Sequence, residues 1–219
     1  MYTVKLKDTT FVIMPRKHQK RIIFRATEAN TYKVTCPYRT SKKALLKTIE
    51  QHHSHLNHLK PPLDIEGLLI ENQNVPLFDE VVTLKTSNLK EIKALFKKRL
   101  ETEIEWLINK YNPYFKTIDL SKITRRYRYL KSKFGSCKPS TLSITFNMEL
   151  IHFPKVFLEY IFVHEIAHLV HQNHSKEFHL LTERLFTSPP KIKETLNHLH
   201  STLHYEGFDA LILVTKSLK

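Results

Sequence analysis

The first third of the chain alternates apolar and polar residues with a period of two, a pattern typical of half-buried β-strands. Three segments rich in β-branched and aromatic residues show it: TFVIMPR (10–16), RIIFRAT (21–27) and TYKVTCPY (31–38). Ser41 follows at a position suited to an N-cap, which predicts a helix over residues 42–59 that ends before Pro61. The next segment, 63–78, is predicted to be extended, with a hairpin turn at residues 72–74.

From Asn88 the apolar residues recur every three or four positions, which predicts a long amphipathic helix ending at Pro113. The basic segment 123–137 is predicted to be a strand that leads through Gly135 into a second strand, TLSITFN (141–147). The rest of the pattern is helical, in three segments: 154–172, 176–185 and 191–204.

These elements predict an α+β fold. A strand-rich N-terminal part with one helix, residues 1–86, is expected to pack on a helical C-terminal part, residues 87–219, as two domains or as one continuous domain. With 219 residues, 41% of them apolar, the chain can build a sizeable core, which excludes a fully disordered protein.

Charge adds a candidate partner to this picture. Thirty-five Lys and Arg residues against 21 Asp and Glu give a net charge of +14 and a pI near 9.7. A field of this sign attracts polyanions, so nucleic acid is a candidate partner. The sequence has no long Lys/Arg block and no repeated alternation of basic and aromatic residues, which favours charges spread over a solvated surface.

Cysteine and glycine usage narrow the class of protein further. Cys36 and Cys137 form no CxxC pair, which suits a reducing compartment. The N-terminal residues lack the apolar core of a signal peptide, and the longest apolar runs are too short for a membrane span, so a cytoplasmic location is expected. Only three glycines occur, which excludes a Gly-rich phosphate loop.

The strongest chemical signal is an HExxH motif, His164-Glu165-Ile166-Ala167-His168. Histidines at i and i+4 share one helical face, so His164 and His168 can both bind one zinc ion at about 2.0–2.1 Å. Glu165 flanks that metal without binding it and can take a proton from a metal-activated water as general base. The apolar flanks of the motif indicate a buried helix, where two histidines without partners would be costly.

A catalytic zinc needs a third protein ligand and an open position. The nearby candidates are His171, His174, Glu177, His179 and Glu183. His174 is favoured, because Asn173 suits a left-handed turn at the end of the helix and a chain that reverses there brings His174 back over the metal. Ser175 would then cap the next helix. Glu177 and Glu183 remain alternatives, whereas His171 and His179 are better interpreted as surface residues.

Three further features near the motif are open to interpretation. Ser136 and Cys137 have no paired base in the sequence and are interpreted as turn residues. The strand TLSITFN is either an edge strand that pairs with substrate or an ordinary core strand. A donor that stabilises the transition state would be Tyr205, His204, His200 or none of these.

The run KFGSC, TLSITFNMELIHFP and VHEIAHLVHQNHSKEF resembles the YgjP-like metallopeptidases, and the resemblance extends over residues 15–200. It implies a zincin-like fold and a single zinc ion with His164, His168 and His174 as ligands. The chain is similar, more distantly, to the SprT and WLM metallopeptidases. Phe134 and Phe178 stand where this family more often has Trp.

The sequence therefore predicts a zinc-dependent metallopeptidase that acts on a peptide or protein substrate. One alternative is a DNA-associated protease that docks phosphates on the basic strand residues Arg125, Arg126, Arg128, Lys131 and Lys133. A second alternative is a basic nucleic-acid-binding protein with a structural zinc site, although such a site has no use for Glu165. Zinc is favoured as the metal, and nickel or cobalt would also bind three imidazoles.

Overall fold

The computed structural model describes the chain in five ranges: 1–28, 30–56, 61–71, 73–130 and 132–218. At positions 54 and 55 only the backbone is described. The described residues form two compact units, Met1–Asp64 and Ile65–Lys219. The domain boundary predicted after residue 86 lies inside the second unit, and the division into domains stays a prediction. The packing of the N-terminal part on the C-terminal part also stays a prediction.

The first unit is a four-stranded sheet followed by a helix. Its elements are β1 (Tyr2–Leu6), β2 (Thr9–Arg16), β3 (Ile23–Glu28), β4 (Thr31–Pro37) and α1 (Lys42–Leu56). The strand order is β1-β2-β4-β3, with β2 and β4 parallel and the outer pairs antiparallel. Alternate residues of β2 and β4 bury their side chains together with Leu45 and Ile49 of α1. Ser41 accepts a hydrogen bond from the Ala44 N–H at 3.2 Å, as its predicted capping role requires.

The three predicted strands and the helix of this unit are confirmed, whereas β1 was not predicted. The end of the predicted helix, residues 57–59, lies outside the described residues.

The second unit holds a hairpin, a three-stranded sheet and most of the helices. In chain order its elements are α2 (Ile65–Glu71), β5 (Asn74–Leu77), β6 (Glu80–Thr83), α3 (Leu89–Tyr111), β7 (Thr124–Arg128), β8 (Gly135–Lys138), β9 (Ser143–Asn147), α4 (Lys155–Ala167), α5 (Lys176–Leu185), α6 (Ile192–Tyr205) and α7 (Phe208–Ser217). A 3₁₀ segment, Met148–His152, joins β9 to the start of α4. Strand order in the larger sheet is β7-β9-β8.

One continuous apolar core holds the second unit together. Helix α3 contributes a stripe at helical spacing that includes Ile92, Phe96 and Leu100, all fully buried. Helix α4 is apolar on nearly every side, and Phe162 stacks on Phe146 of β9 with ring centroids 6.1 Å apart. Helix α4 therefore lies in the interior, which fixes the position of the HExxH segment.

Two predictions for residues 63–78 were wrong. Residues 65–71 form a helix, because Ile65 and Leu69 stand one turn apart and bury the same face. The hairpin turn lies between β5 and β6, where Phe78 has φ 56°, and not at residues 72–74, of which residue 72 lies outside the described residues. Helix α7 was also missed.

The predicted α+β class, with strands leading and helices following, is confirmed by this arrangement. None of the helices in the described part of the chain combines the length and hydrophobicity needed to cross a membrane.

Candidate metal centre and active site

Helix α4 ends within the HExxH motif. It was predicted to reach residue 172 but stops at Ala167, since the N–H groups of Leu169 and Val170 bond to carbonyls three residues back and tighten the chain. His168 is the C-cap residue and keeps right-handed helical angles, so it stays one turn beyond His164. The two imidazole centroids lie 4.9 Å apart.

The chain then reverses and brings His174 back to this pair. Its ring centroid lies 5.0 Å from that of His164 and 4.8 Å from that of His168. The prediction that Asn173 adopts a left-handed conformation is wrong, because its φ angle is not positive. Instead, short-range hydrogen bonds such as Ser175 N–H to the Asn173 carbonyl, 2.8 Å, make the reversal.

Helix α5 fixes the far side of the cluster. Ser175 caps it, as predicted, by accepting a hydrogen bond from the Phe178 N–H, and Glu177 stands in the first turn. The Phe178 side chain is buried and packs against the three imidazoles. Its ring centroid lies 5.1 Å from that of His164, 4.6 Å from that of His168 and 4.8 Å from that of His174. Phe178 thus supports all three rings at once, a role that the sequence did not predict.

One hydrogen bond defines which nitrogen of His168 is free. Its Nδ1 lies 3.1 Å from the backbone carbonyl of His171, and a carbonyl only accepts, so Nδ1 carries the proton. Nε2 of His168 is left as the electron-pair donor, the usual arrangement of a metal-binding histidine. His171 therefore contributes its backbone carbonyl to this cluster.

The three imidazoles form a donor set that fits zinc. One ring nitrogen from each lies within 4.8 Å of the others. The Nε2 atoms of His164 and His174 are 3.2 Å apart, close to the edge of about 3.3–3.4 Å that a tetrahedron with metal–nitrogen bonds of about 2.0–2.1 Å requires. Burial, followed by the neighbouring imidazoles, lowers the pKa of His164 to about 4, which keeps it neutral as a ligand must be.

The other predicted ligand candidates do not join this group of three within the described residues. Glu177 is exposed and bonds to Ser175, which lowers its pKa. His179 and Glu183 line a cavity beside His164 and His174.

Glu165 is a buried carboxylate that follows His164 in the sequence and lines the same cavity as His164 and His168. It is 6% exposed, and burial raises its pKa to about 7 against the opposing effects of Lys133 and of a hydrogen bond from the Cys137 backbone N–H. Gly135 makes room for it, because a Cβ atom at that position would lie 2.5 Å from Glu165 Oε1. No larger residue fits there unless Glu165 moves.

Strand β8 packs against Glu165 and is an edge strand in the described part of the chain. TLSITFN was predicted to be either a substrate-binding edge strand or a core strand; it forms β9, the central strand of this sheet, so the edge-strand alternative was wrong. The core-strand interpretation of TLSITFN is the correct one. A cavity of about 410 Å³ lies between β8 and the histidines, and a second of about 410 Å³ lies on the α5 side of His164.

Ser136 and Cys137 belong to β8, not to a turn. Burial, followed by the charge of Glu165, raises the pKa of the Cys137 thiol to about 12, so it is protonated and a poor nucleophile. Ser136 Oγ accepts a hydrogen bond from Lys133 Nζ at 3.0 Å.

Of the three suggested transition-state donors, His200 and His204 face Glu149. Neither of them, nor Tyr205, is among the described residues that line the two cavities beside His164.

Strand β7, the first part of the basic segment, forms the other edge of the sheet. Arg125, Arg126 and Arg128 of β7 are exposed, whereas Tyr127 stacks on Phe146 with centroids 6.2 Å apart. The predicted single strand over 123–137 is in fact two strands, β7 and β8, on opposite sides of β9. Lys131 lies outside the described residues.

Comparison with known proteins gives a family. Residues 68–199, more than half of the chain, match the family model "YgjP-like, metallopeptidase domain". The chain belongs to the YgjP-like metallopeptidase family. This family is one of peptidases that depend on a metal cofactor, so the resemblance inferred from the sequence is confirmed. A comparison with curated proteins gives no match.

Two solved structures are similar over part of this YgjP-like chain. The metallopeptidase zymogen of Pyrococcus abyssi abylysin is 23% identical, covers 48% of this chain and 94% of its own, and has a TM-score of 0.37. The metallopeptidase zymogen of Methanocaldococcus jannaschii jannalysin is 20% identical, covers 43% and 94%, and has a TM-score of 0.36.

Proposed function

We propose that this chain is a zinc-dependent metallopeptidase, with one zinc ion on His164, His168 and His174 and with Glu165 as general base. The observation that carries the proposal is the convergence of three imidazoles beside a buried carboxylate that is not one of the three. A purely structural zinc site gains nothing from a carboxylate kept at this position, whereas hydrolysis needs one.

Zinc, when bound, acts as a Lewis acid that polarises a carbonyl group and makes water more acidic. The chain supplies the proton transfers. Glu165 accepts a proton as water attacks the peptide carbonyl carbon, and it gives that proton to the amine when the C–N bond breaks. Its burial beside Gly135 holds the carboxylate in one place, and the raised pKa suits a group that must both take and return a proton.

Strand β8 supplies the substrate-binding edge in this proposal. Among the described residues it pairs with β9 alone, so its other side can add an extended peptide by backbone hydrogen bonds. One cavity lies between this edge and the histidines and the other lies beyond His164 on the α5 side, so an extended substrate on β8 would run past the histidines. A peptide or protein in extended conformation is therefore the substrate class we propose.

The alternative of a DNA-associated protease rests on β7, whose three exposed arginines form an open basic edge. Binding of a single-stranded oligonucleotide, measured at several salt concentrations, tests it, since each phosphate contact steepens the salt dependence. Arg126→Gln should make the salt dependence of oligonucleotide binding less steep only if this edge binds the phosphate backbone of the oligonucleotide.

The peptidase proposal is tested with unfolded protein and peptide-library substrates, incubated with the zinc-loaded protein and analysed by mass spectrometry for new termini. Cleavage should occur with the wild type, stop with a chelator and return with zinc. Cleavage that persists unchanged in Glu165→Gln would overturn the assigned base. Intact substrates throughout, from a protein that binds zinc, would favour the structural-site alternative.

A further inference from the structure

A second cluster of metal-binding side chains lies outside the HExxH site. Glu149, in the 3₁₀ segment after β9, faces His200 and His204 of α6, and one ligand atom from each of the three lies within 4.8 Å of the others. Both Nε2 atoms are 3.2 Å from the same oxygen, Glu149 Oε2. Two imidazoles therefore converge on one carboxylate oxygen.

These distances fit a shared metal ion better than two hydrogen bonds. Charge-assisted N–H to carboxylate bonds are usually about 2.7–2.9 Å long, and two donors would more easily take one oxygen each. A value of 3.2 Å is near the edge of about 3.3–3.4 Å of a zinc tetrahedron, and it equals the His164–His174 nitrogen separation in the first cluster.

The fold holds these three side chains in place. His200 and His204 stand at i and i+4 on one face of α6, the same spacing as His164 and His168. Asn147 caps the 3₁₀ segment by accepting the Glu149 N–H at 3.2 Å, which fixes the backbone of the carboxylate residue. The Phe134 ring packs edge-on against His200 with centroids 5.3 Å apart.

The electrostatics favour a cation at this point. Glu149 is only 6% exposed, and a buried carboxylate needs a cation or hydrogen-bond donors as partners. Both histidine side chains remain partly exposed, which gives an ion a path from solvent and leaves one side open to water.

We propose that Glu149, His200 and His204 form a second site for a divalent transition-metal ion, of the class that zinc represents. The ion ties α6 to the segment between β9 and α4, so its role is to stabilise the catalytic unit. Two imidazoles and one carboxylate suit zinc, cobalt or nickel and discriminate against Mg²⁺ and Ca²⁺, which prefer all-oxygen sites. This site goes beyond the proposed peptidase function and does not depend on it.

The test is a Co²⁺ titration of the full-length, demetallated protein, followed by absorption spectroscopy, with zinc content measured in parallel. Wild type should bind two equivalents. Glu149→Gln and His204→Ala should each lose one equivalent and keep the one assigned to the first cluster. His198→Ala, an exposed histidine on the same helix, is the matched control and should keep both. His174→Ala should lose only the first equivalent, so the two sites can fail independently.

A second readout is thermal stability. Addition of excess zinc should raise the Tm of His174→Ala, which retains the second cluster, and should have a smaller effect on the His174→Ala/Glu149→Gln double variant. Saturation of the wild type at one equivalent, in a protein that circular dichroism shows to be folded, would overturn the proposal even if every Glu149 variant failed to fold. Two equivalents retained in folded Glu149→Gln and His204→Ala would overturn it as well.

Discussion

The two histidine clusters of this chain use the same helical spacing but place their carboxylate differently. In the first, three imidazoles converge and Glu165 stands beside them, buried, with its oxygens outside the ligand group. In the second, the carboxylate of Glu149 is itself at the centre of the group. In our proposals the carboxylate beside the first metal exchanges protons and the carboxylate of the second cluster holds its metal, so the comparison would separate a reactive site from a stabilising one.

The two carboxylates also differ in pKa, and for a physical reason. Glu165 has one backbone hydrogen bond and a nearby lysine, which do not offset burial, so its pKa rises to about 7. Glu149 is also buried, but two imidazoles bond to it, and its pKa falls to about 2. The partners of a buried carboxylate, rather than burial alone, decide whether its pKa is raised or lowered.

The largest effect is expected for Glu165→Gln, which keeps the shape of the side chain but removes the base. Peptidase activity should fall by about 10²–10⁴-fold, the usual contribution of a general base, while zinc binding is unchanged. The measurement is kcat/KM on a cleaved peptide, with Glu177→Gln as the control, because Glu177 is an exposed glutamate of α5. Equal activity in both variants would refute the distinction drawn between the clusters.

The second prediction concerns the space that Gly135 leaves for Glu165. Gly135→Ala should lower kcat by up to about 10²-fold with little change in zinc content, because the new methyl group displaces the carboxylate from its position. Gly67→Ala in α2 is the matched control and should have normal activity. A Gly135→Ala enzyme as fast as the wild type would show that Glu165 does not need this position.

The third prediction uses His152, a histidine of neither cluster. It is fully buried, its Nδ1–H donates to the Pro76 carbonyl at 2.9 Å, and burial lowers its pKa to about 4 despite that bond and the charge of Glu149. Since the unfolded chain binds a proton near pH 6.5 and the folded chain only near pH 4, the free energy of unfolding should fall as the pH drops through this interval.

Between pH 7 and pH 5 this histidine should contribute about 2 kcal/mol to the loss of stability. Urea denaturation with a chelator present should therefore show a weaker pH dependence for His152→Leu than for the wild type. His198→Leu, at an exposed position, should behave as the wild type does. Parallel curves for wild type and His152→Leu would mean that His152 is protonated in the folded protein.

The comparison also explains how much of the site the sequence could predict. His164, Glu165, His168 and His174 lie within eleven residues, so helical spacing and one chain reversal were enough to predict their convergence. Their roles as ligands and base stay predictions. His200 and His204 show the same i, i+4 spacing, but Glu149 is 51 and 55 positions from them, and only the tertiary packing of α6 brings the three together, so the sequence did not indicate the third member of the second cluster.

The fold shows the same limit. Long helices with a clear stripe, such as α3, were predicted from spacing and capping alone. The order of β7, β8 and β9 was not, because both edges of the sheet come from one basic segment that the sequence analysis took for a single strand. Pairing partners depend on contacts between distant residues, which alternation along one strand does not report.

The most direct test of the proposed active site is the zinc content of purified wild type, His174→Ala and Glu165→Gln, measured by elemental analysis after reconstitution at neutral pH. We expect His174→Ala to contain one zinc ion fewer per chain than the wild type and Glu165→Gln to contain the same number. Zinc content unchanged in folded His174→Ala, or lost in Glu165→Gln, would contradict the assignment of three imidazole ligands with a separate carboxylate base.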